Sequence, residues 1–223
     1  MKRSEINAII RDAEALIAGH GFAVPPWASW SPQQWQAHPD QAAYCAQHQM
    51  GWDITDFGGG NFARKGLVLL CIRNGLPGDH HDRPYAEKLL IVREGQETPF
   101  HFHKVKMEDI ICRGGGNLVL EMMNTDAKGN VLDTPVSVRI DAALETYRPR
   151  QKAVLQPGQS VSIPQALMHR FYGEAGHGTV LVGEVSKVND DLKDNFFLDP
   201  IARFSTIEED EPPYRPLWSE LAH

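Results

Sequence analysis

The sequence has 223 residues and a formal net charge of -7, because 29 acidic residues outweigh 22 basic ones. Hydrophobic residues make up 42% of the chain and charged residues 23%, a composition that provides a core for one domain and excludes a largely disordered chain. No run of Lys or Arg forms a basic surface, and no window reaches the ~18 apolar residues of a membrane-spanning helix, so neither nucleic acid nor a membrane is an expected partner.

The N-terminal part, residues 1–60, is predicted to be a helical extension. An amphipathic helix is expected over residues 4–18, where isoleucines recur at helical spacing. A second helix is predicted after Ser31, which is suited to the N-cap, with Pro32 in the first turn and Gln34 completing a capping box. A third short helix is expected near residues 40–49.

Residues 61–190 are predicted to form a β-barrel, and residues 191–223 a C-terminal tail that packs on it. Short apolar runs separated by Gly, Asn, Asp and Pro indicate about ten strands, which favours a closed barrel or a sandwich. The predicted strands are residues 67–72, 88–93, 98–103, 107–112, 117–123, 136–140, 152–155, 160–163, 168–172 and 179–187.

The cysteines and the chain start indicate the compartment. Cys45, Cys71 and Cys112 are odd in number, far apart and in no CxxC spacing, so we expect free, buried thiols rather than disulfides or a thiolate zinc site. The residues after Met1 are too charged for a secretory signal. A cytoplasmic protein is therefore expected.

A candidate metal site begins with an HxH motif. His101 and His103 are two residues apart in a predicted strand, so both imidazoles point to one face and can share a metal ion. Glu108 follows closely and can supply an oxygen ligand from the next strand. The spacing from Gly95 through these residues to Gly115 matches the first cupin motif.

A second segment completes the ligand set. Gly158, Pro164 and His169 follow the spacing of the second cupin motif, which adds His169 to the predicted ligands. Ala166 stands where Gly is usual, and Gly173 where Asn is usual, at positions that shape a turn rather than bind metal. The resemblance implies an all-β cupin jelly-roll barrel that binds one divalent metal, and its nitrogen and carboxylate ligands suit Mn²⁺, Fe²⁺, Co²⁺, Ni²⁺ or Zn²⁺.

Three charged residues are candidates for catalysis beside the metal. Lys106 lies two residues before Glu108, so strand parity points it into the barrel. Lys88 alternates with Leu90 and Val92 in another predicted strand. Glu184 interrupts an apolar strand and is a candidate acid or base. For each, an outward-facing surface charge is the alternative.

Several segments resemble the D-lyxose isomerases of the cupin superfamily. The similarity covers roughly residues 50–213, and the segments that carry it are PYAEKLLIVREG from Pro84, HFHKVKMEDII from His101, RGGGNLV from Arg113, GEVS from Gly183, VNDD from Val188 and RFSTIEEDE from Arg203. The resemblance implies a manganese-dependent aldose–ketose isomerase that interconverts D-lyxose and D-xylulose, with D-mannose and D-fructose as secondary sugars. It also implies that His101, His103, Glu108 and His169 bind the metal, and that Lys88 and Lys106 line the sugar site.

The chemistry that follows leaves alternatives open. The metal would polarise the sugar carbonyl, and a base would carry a proton from C2 to C1 through a cis-enediol. Glu184 or a metal-activated water is the candidate base, Lys106 a candidate proton donor, and a hydride shift the rival path. A non-haem Fe(II) dioxygenase and a non-catalytic sugar-binding cupin are the alternative functions. A homodimer is expected, because open jelly-roll edges pair between subunits.

Overall fold

The computed structural model describes residues 1–221, and its helices lie mainly at the N-terminus. These are α1 (Arg3–Gly19), α2 (Pro32–Gln36) and α3 (Pro39–Gln47), with 3-10 turns at Pro26–Ser29 and Trp218–Glu220. The capping box predicted at Ser31 is present, since its hydroxyl accepts the Gln34 amide while the Gln34 side chain accepts the Ser31 amide. No helix in residues 1–221 is long and apolar enough to cross a membrane.

Fourteen strands within residues 1–221 form two curled antiparallel sheets. The larger sheet has the order β1-β2-β3-β13-β5-β11-β8-β9, and the smaller has the order β10-β6-β12-β4-β14, with β7 paired to β6. The strands are β1 (Gly51–Thr55), β2 (Leu67–Arg73), β3 (Tyr85–Val92), β4 (Thr98–Phe102), β5 (Glu108–Gly115), β6 (Leu118–Thr125), β7 (Val131–Leu132), β8 (Val136–Ile140), β9 (Ala143–Tyr147), β10 (Lys152–Leu155), β11 (Ser160–Ile163), β12 (Met168–Gly173), β13 (Val180–Lys187) and β14 (Phe196–Phe197).

All ten predicted strands are present, and four further strands were not predicted. β1 pairs with β2 along its whole length although it lies in the range assigned to the helical extension. Every residue of β1 is buried, so it has no alternating pattern. β9 is largely exposed on both faces, and β7 and β14 have two residues each. Such strands lack the apolar period from which a strand is recognised.

The larger sheet is covered on both faces. In β2, Leu67, Leu69 and Cys71 face the interior between the sheets. The alternate residues Val68 and Leu70 pack against the apolar side of α1. The interior therefore forms one core, and the helical extension closes a second core behind the sheet.

The C-terminal tail wraps the barrel, as predicted from the sequence. β14 pairs with β4, and the residues near 208 and 217 bridge to the chain start and to β1. Buried Arg3 of α1 holds Glu209 with an N–O distance of 2.6 Å and also binds Glu220. The thiols of Cys45, Cys71 and Cys112 are free and buried, as expected. The jelly-roll barrel with a helical extension and a wrapping tail is thus confirmed.

Candidate metal centre and active site

Three strands bring the predicted metal ligands to one point. His101 on β4 pairs directly with His169 on β12, so the two imidazoles leave adjacent strands at the same level. Glu108 is the first residue of β5 on the opposing sheet. His103 follows immediately after the last residue of β4. The HxH pair is therefore placed by strand alternation, and Glu108 by the facing sheet.

The four side chains form a buried cluster of suitable size for one ion. One ligand atom from each lies within 4.8 Å of the others, and all four residues are buried. The Nε2 atom of His169 is 3.1 Å from one carboxylate oxygen of Glu108, and Nε2 of His103 is 3.6 Å from the other. At these separations one cation can contact all four ligand atoms at once.

The hydrogen bonds of the rings show that this cluster fits a metal. Nδ1 of His101 donates to the Pro99 carbonyl, Nδ1 of His103 to the Asp194 carbonyl and Nδ1 of His169 to the Leu167 carbonyl, at 2.8, 2.5 and 2.9 Å. A carbonyl only accepts, so each neutral ring carries its proton on Nδ1 and presents the Nε2 lone pair to the centre. Nε2 of His103 and of His169 is buried and finds no hydrogen-bond partner in the described part of the chain. Lone pairs converging on a carboxylate are the arrangement that a divalent cation stabilises.

Charge and burial keep the ligands in their metal-binding forms. Burial lowers the pKa of His101 well below its ordinary value, and burial followed by the Lys106 charge lowers the pKa of His103. Burial alone would raise the pKa of Glu108, but the Lys106 ammonium and the neighbouring His103 and His169 together outweigh it and hold that pKa well below the usual range. Two neutral imidazoles and a carboxylate therefore stand ready at neutral pH.

Two buried ammonium groups and Glu184 lie beside the ligands. The Lys106 ammonium is 2.8 Å from Glu108 and 2.7 Å from Oε1 of Glu184. The Lys88 ammonium is 3.1 Å from the same Glu184 oxygen. Burial lowers the pKa of Lys106, but Glu108 and Glu184 together raise it above its ordinary value, so this lysine is charged. Oε2 of Glu184 accepts no hydrogen bond from the described residues.

The structure places Lys106 inside for a different reason from the predicted one. β5 begins at Glu108, so Lys106 lies in the preceding turn and not on the strand. The carboxylate of Asp194 accepts the backbone amides of residues 104–106 at 2.8–3.2 Å and fixes this turn. Lys88 does lie on β3, on the face shared with Leu90 and Val92.

The sequence analysis missed the groups that the tail contributes. Asn189 contacts both lysines, and Asp191, Asn195 and Arg203 line the same cavity as His101, His103 and Glu108. Arg203 is held by Asp53 of β1, with an N–O distance of 2.6 Å. The segments VNDD and RFSTIEEDE were noted for their resemblance, but nothing in their local pattern indicates that they reach the barrel interior.

A jelly-roll barrel with three histidines, one glutamate and two buried lysines at its centre defines a cupin-type enzyme with a site suited to one divalent metal. The family model of D-lyxose isomerase matches residues 1–221. The D-lyxose/D-mannose isomerase of Serratia proteamaculans is 46% identical over 96% of this chain and 94% of its own length. That of Escherichia coli O157:H7 is 46% identical over 99% of this chain and 98% of its own. The chain belongs to the D-lyxose isomerase family and is a sugar isomerase.

A more distant relative in sequence and two solved structures extend the comparison. The D-lyxose ketol-isomerase of Cohnella laeviribosi is 30% identical over 71% of this chain and 82% of its own length. The L-ribose isomerase of Cellulomonas parahominis superposes with a TM-score of 0.61 at 18% identity, covering 93% of this chain and 98% of that one. The L-ribose isomerase of Acinetobacter sp. DL28 gives a TM-score of 0.64 at 15% identity, with the same coverage. At these identities the solved structures establish the shared fold.

Proposed function

We propose that this protein is a metal-dependent isomerase that interconverts D-lyxose and D-xylulose, with D-mannose and D-fructose as further substrates. The names of the 46% identical relatives support the sugar, since both are D-lyxose/D-mannose isomerases. The observation that carries the proposal is Glu184, which lines the cavity: both lysines contact its Oε1, while Oε2 accepts no hydrogen bond from residues 1–221. A carboxylate held in this way is suited to move a proton on carbon.

His101, His103, Glu108 and His169 would hold the metal, for which we propose Mn²⁺. Three nitrogens and one carboxylate oxygen also suit Co²⁺, Fe²⁺ and Zn²⁺. When bound, the cation supplies Lewis acidity at the sugar carbonyl and stabilises the negative charge that develops on the adjacent oxygens. Every other part of the chemistry falls to side chains of the chain itself.

Glu184 is the proposed base. In the direction from aldose to ketose, its free Oε2 takes the proton from C2, which leaves an enediol. The protonated carboxyl exchanges this proton with solvent and then delivers a proton to C1. The proton of the C2 hydroxyl leaves as the C2 carbonyl forms, and the C1 oxygen gains one proton, so the reaction needs no external acid, base or redox partner. The Glu184 carboxylate is oriented because its other oxygen is engaged by two ammonium groups.

The lysines divide the hydroxyl chemistry between them. The Lys106 ammonium already has three oxygens within 3.1 Å, on Glu108, Glu184 and Asn189. Among the described residues Lys88 has two such oxygens, on Asn189 and Glu184, and the nearest oxygen of Asp191 is 3.9 Å away. One N–H of Lys88 is therefore free for the sugar, and we propose Lys88 as the donor to a sugar oxygen and Lys106 as the group that orients Glu108 and Glu184.

The cavity offers hydrogen-bond partners that a polyol can use. Lys88, Asp191, Asn195 and Arg203 line it together with three of the four ligands, and apolar side chains line the rest. The relatives are named as sugar isomerases, which favours this proposal over a dioxygenase. The carboxylate oxygen of Glu184 that is available as a base favours it over a protein that only binds sugar.

The test is NMR of metal-free protein that has been reloaded with Mn²⁺ and mixed with D-lyxose in deuterated water. We expect D-xylulose with deuterium at C1, and loss of the conversion in Glu108→Ala. Conversion without deuterium would replace proton transfer by a hydride shift. If no aldose or ketose converts with Mn²⁺, Co²⁺, Fe²⁺ or Zn²⁺, the proposed function is wrong.

The homodimer and the cytoplasmic location stay predictions. The edge strand β9 of the larger sheet pairs only with β8 within residues 1–221, and such an edge is suited to a second copy. Analytical ultracentrifugation of the full chain distinguishes a monomer of 24.9 kDa from a dimer.

A further inference from the structure

Asn189 lies between the two buried lysines and accepts from both. Its side-chain oxygen is 2.7 Å from the Lys88 ammonium and 3.1 Å from the Lys106 ammonium. Oε1 of Glu184 has the complementary distances, 3.1 Å to Lys88 and 2.7 Å to Lys106. Two ammonium groups and two oxygens thus form a closed four-membered arrangement in which each oxygen serves both cations.

The chemistry of the partners fixes the orientation of the Asn189 amide. An ammonium group only donates, so the carboxamide must turn its oxygen toward the lysines and its NH₂ away from them. Nδ2 of Asn189 is accordingly buried and has no hydrogen-bond partner among residues 1–221. An unpaired buried donor is costly, and its presence indicates that the oxygen is required where it lies.

A second asparagine holds Asn189 in place. The Asn74 side chain accepts the backbone amide of Asn189 at 3.0 Å and donates to its backbone carbonyl at 3.0 Å. The same Asn74 amide donates to the carbonyl of His48 at 2.8 Å. Asn74 and Asn189 are almost fully buried, so water does not compete for these two hydrogen bonds. The position of the shared oxygen is therefore set by Asn74, which directly follows β2.

We infer that Asn189 is a positioning residue that holds the Lys88 and Lys106 ammonium groups at Glu184, an inference that rests on the proposed function. With the Asn189 oxygen as a second acceptor, both lysines contact Glu184 at Oε1 alone, and Oε2 of that carboxylate stays free for the sugar. A neutral amide does this without adding charge to a site that already contains Glu108, Glu184 and Asp191. An aspartate would keep the acceptor and add a negative charge.

The experiment compares Asn189→Leu, which removes the acceptor at similar volume, with Asn189→Asp, which keeps it. We expect kcat/KM on D-lyxose to fall roughly ten- to hundredfold in Asn189→Leu and to stay within about fivefold of the parent in Asn189→Asp. Mn²⁺ affinity, measured by calorimetry, should stay near that of the parent in both, because Asn189 contacts none of the four ligands. Asn7→Leu is the matched control, since Asn7 is an equally buried asparagine that binds only the tail.

Each outcome decides the inference. Parent-like turnover in Asn189→Leu overturns it, and so does equal loss in both Asn189 variants, which would make the residue a packing element. Loss in Asn7→Leu equal to that in Asn189→Leu would also overturn it, as an effect of stability alone. If the parent converts no sugar, the proposed function fails separately, and NMR of the lysine ammonium protons still tests the contact with Asn189. Slow exchange of these protons with solvent in the parent and in Asn189→Asp, with faster exchange in Asn189→Leu, would support the inference. Equal exchange rates in all three proteins would overturn it.

Discussion

The three metal-site histidines obtain their tautomer from backbone carbonyls. His101 and His169 each donate Nδ1 to the carbonyl two residues earlier in the chain, at Pro99 and Leu167. His103 instead donates to the carbonyl of Asp194, which is 91 residues away. Two of the rings are thus oriented by their own segments, and the third depends on the tail. Fixing the ring in this way raises the basicity of Nε2 and lowers the entropy lost on metal binding.

The stability of the metal-free protein should fall in mild acid. The folded-state pKa values of His101 and His103 lie below 6.5 because of burial, so below pH 6.5 the unfolded chain takes up protons that the folded site refuses. Unfolding free energy should be constant above this pH and fall by up to ~1.4 kcal/mol per pH unit for each histidine below it. Urea denaturation of the metal-free protein between pH 7.5 and 5.5 measures the slope.

The control for this pH dependence is His101→Gln, which lacks one of the two imidazoles whose pKa is lowered by burial. Its urea midpoint should change less with pH than that of the parent over the same range. If the urea midpoint of the parent does not change between pH 7.5 and 5.5, the claim that these buried histidines are neutral in the folded protein is wrong.

Glu184→Gln should remove turnover and leave metal binding intact. The amide keeps the shape of the carboxylate but cannot accept the carbon proton, so kcat should fall about 10²- to 10⁴-fold. Glu184 is not among the four ligand residues, and Mn²⁺ affinity should change little. Deuterium uptake from solvent and calorimetry measure the two effects.

Glu121→Gln is the matched control for Glu184→Gln. Glu121 is also a buried carboxylate, but its partners are Arg170 and Tyr172 outside the metal cavity. Turnover of this variant should remain close to that of the parent. The proposed role of Glu184 would be refuted by Glu184→Gln retaining parent-like exchange.

At the scale of single elements, the turn before β12 shows how this chain departs from the usual cupin pattern. Ala166 adopts a φ of 61°, a left-handed conformation that favours the glycine usually found there. At the other unusual position, a Cβ on Gly173 would lie 2.7 Å from the Arg93 carbonyl oxygen. The backbone of residues 93–94 therefore approaches too closely for the usual asparagine.

Ala166→Gly should stabilise the protein. Relief of the left-handed strain exceeds the extra entropy that glycine gives the unfolded chain, by about 0.5–1 kcal/mol. Ala8→Gly, at an exposed position within α1, is the control and should destabilise by about 1 kcal/mol. Urea denaturation of the three proteins measures both changes, and a loss of stability in Ala166→Gly would show that the methyl contact of Ala166 outweighs its backbone strain.

At the scale of the whole molecule, the C-terminal tail completes the active site. Asp194 supplies the carbonyl for His103 and the carboxylate that fixes residues 104–106. Arg203 joins the cavity to β1, and Glu209 holds the buried guanidinium of Arg3. The candidate metal site is therefore complete only when the tail is packed on the barrel.

Asp194→Ala should weaken metal binding although Asp194 is not a ligand. Without its carboxylate the turn at residues 104–106 loses three amide contacts, and the carbonyl that orients His103 is no longer held. Loss of such an outer partner lowers metal affinity about ten- to hundredfold. Calorimetric titration with Mn²⁺ measures it. Asp210→Ala, which removes a tail carboxylate bound only to Ser4, should bind Mn²⁺ as the parent does, and equal affinity in both variants would contradict the prediction.

The sequence alone determined the features that depend on neighbours along the chain. Alternation in a strand places His101 and His103 together, and an apolar period marks the ten predicted strands. The capping box at Ser31 is closed within three residues. These features are local, so residue spacing is enough to specify them.

Only the tertiary structure decided which polar groups of the tail enter the site. Asn189 meets Lys88 across 101 residues, Asp194 meets Lys104 across 90, and Arg203 meets Asp53 across 150. Lys106 is turned inward by Asp194 rather than by strand parity. β1 is a strand because it can pair with β2, not because of its own pattern. Contacts of this kind exist only once packing of the sheets and the tail has removed these groups from water, and no local period in the sequence records that event.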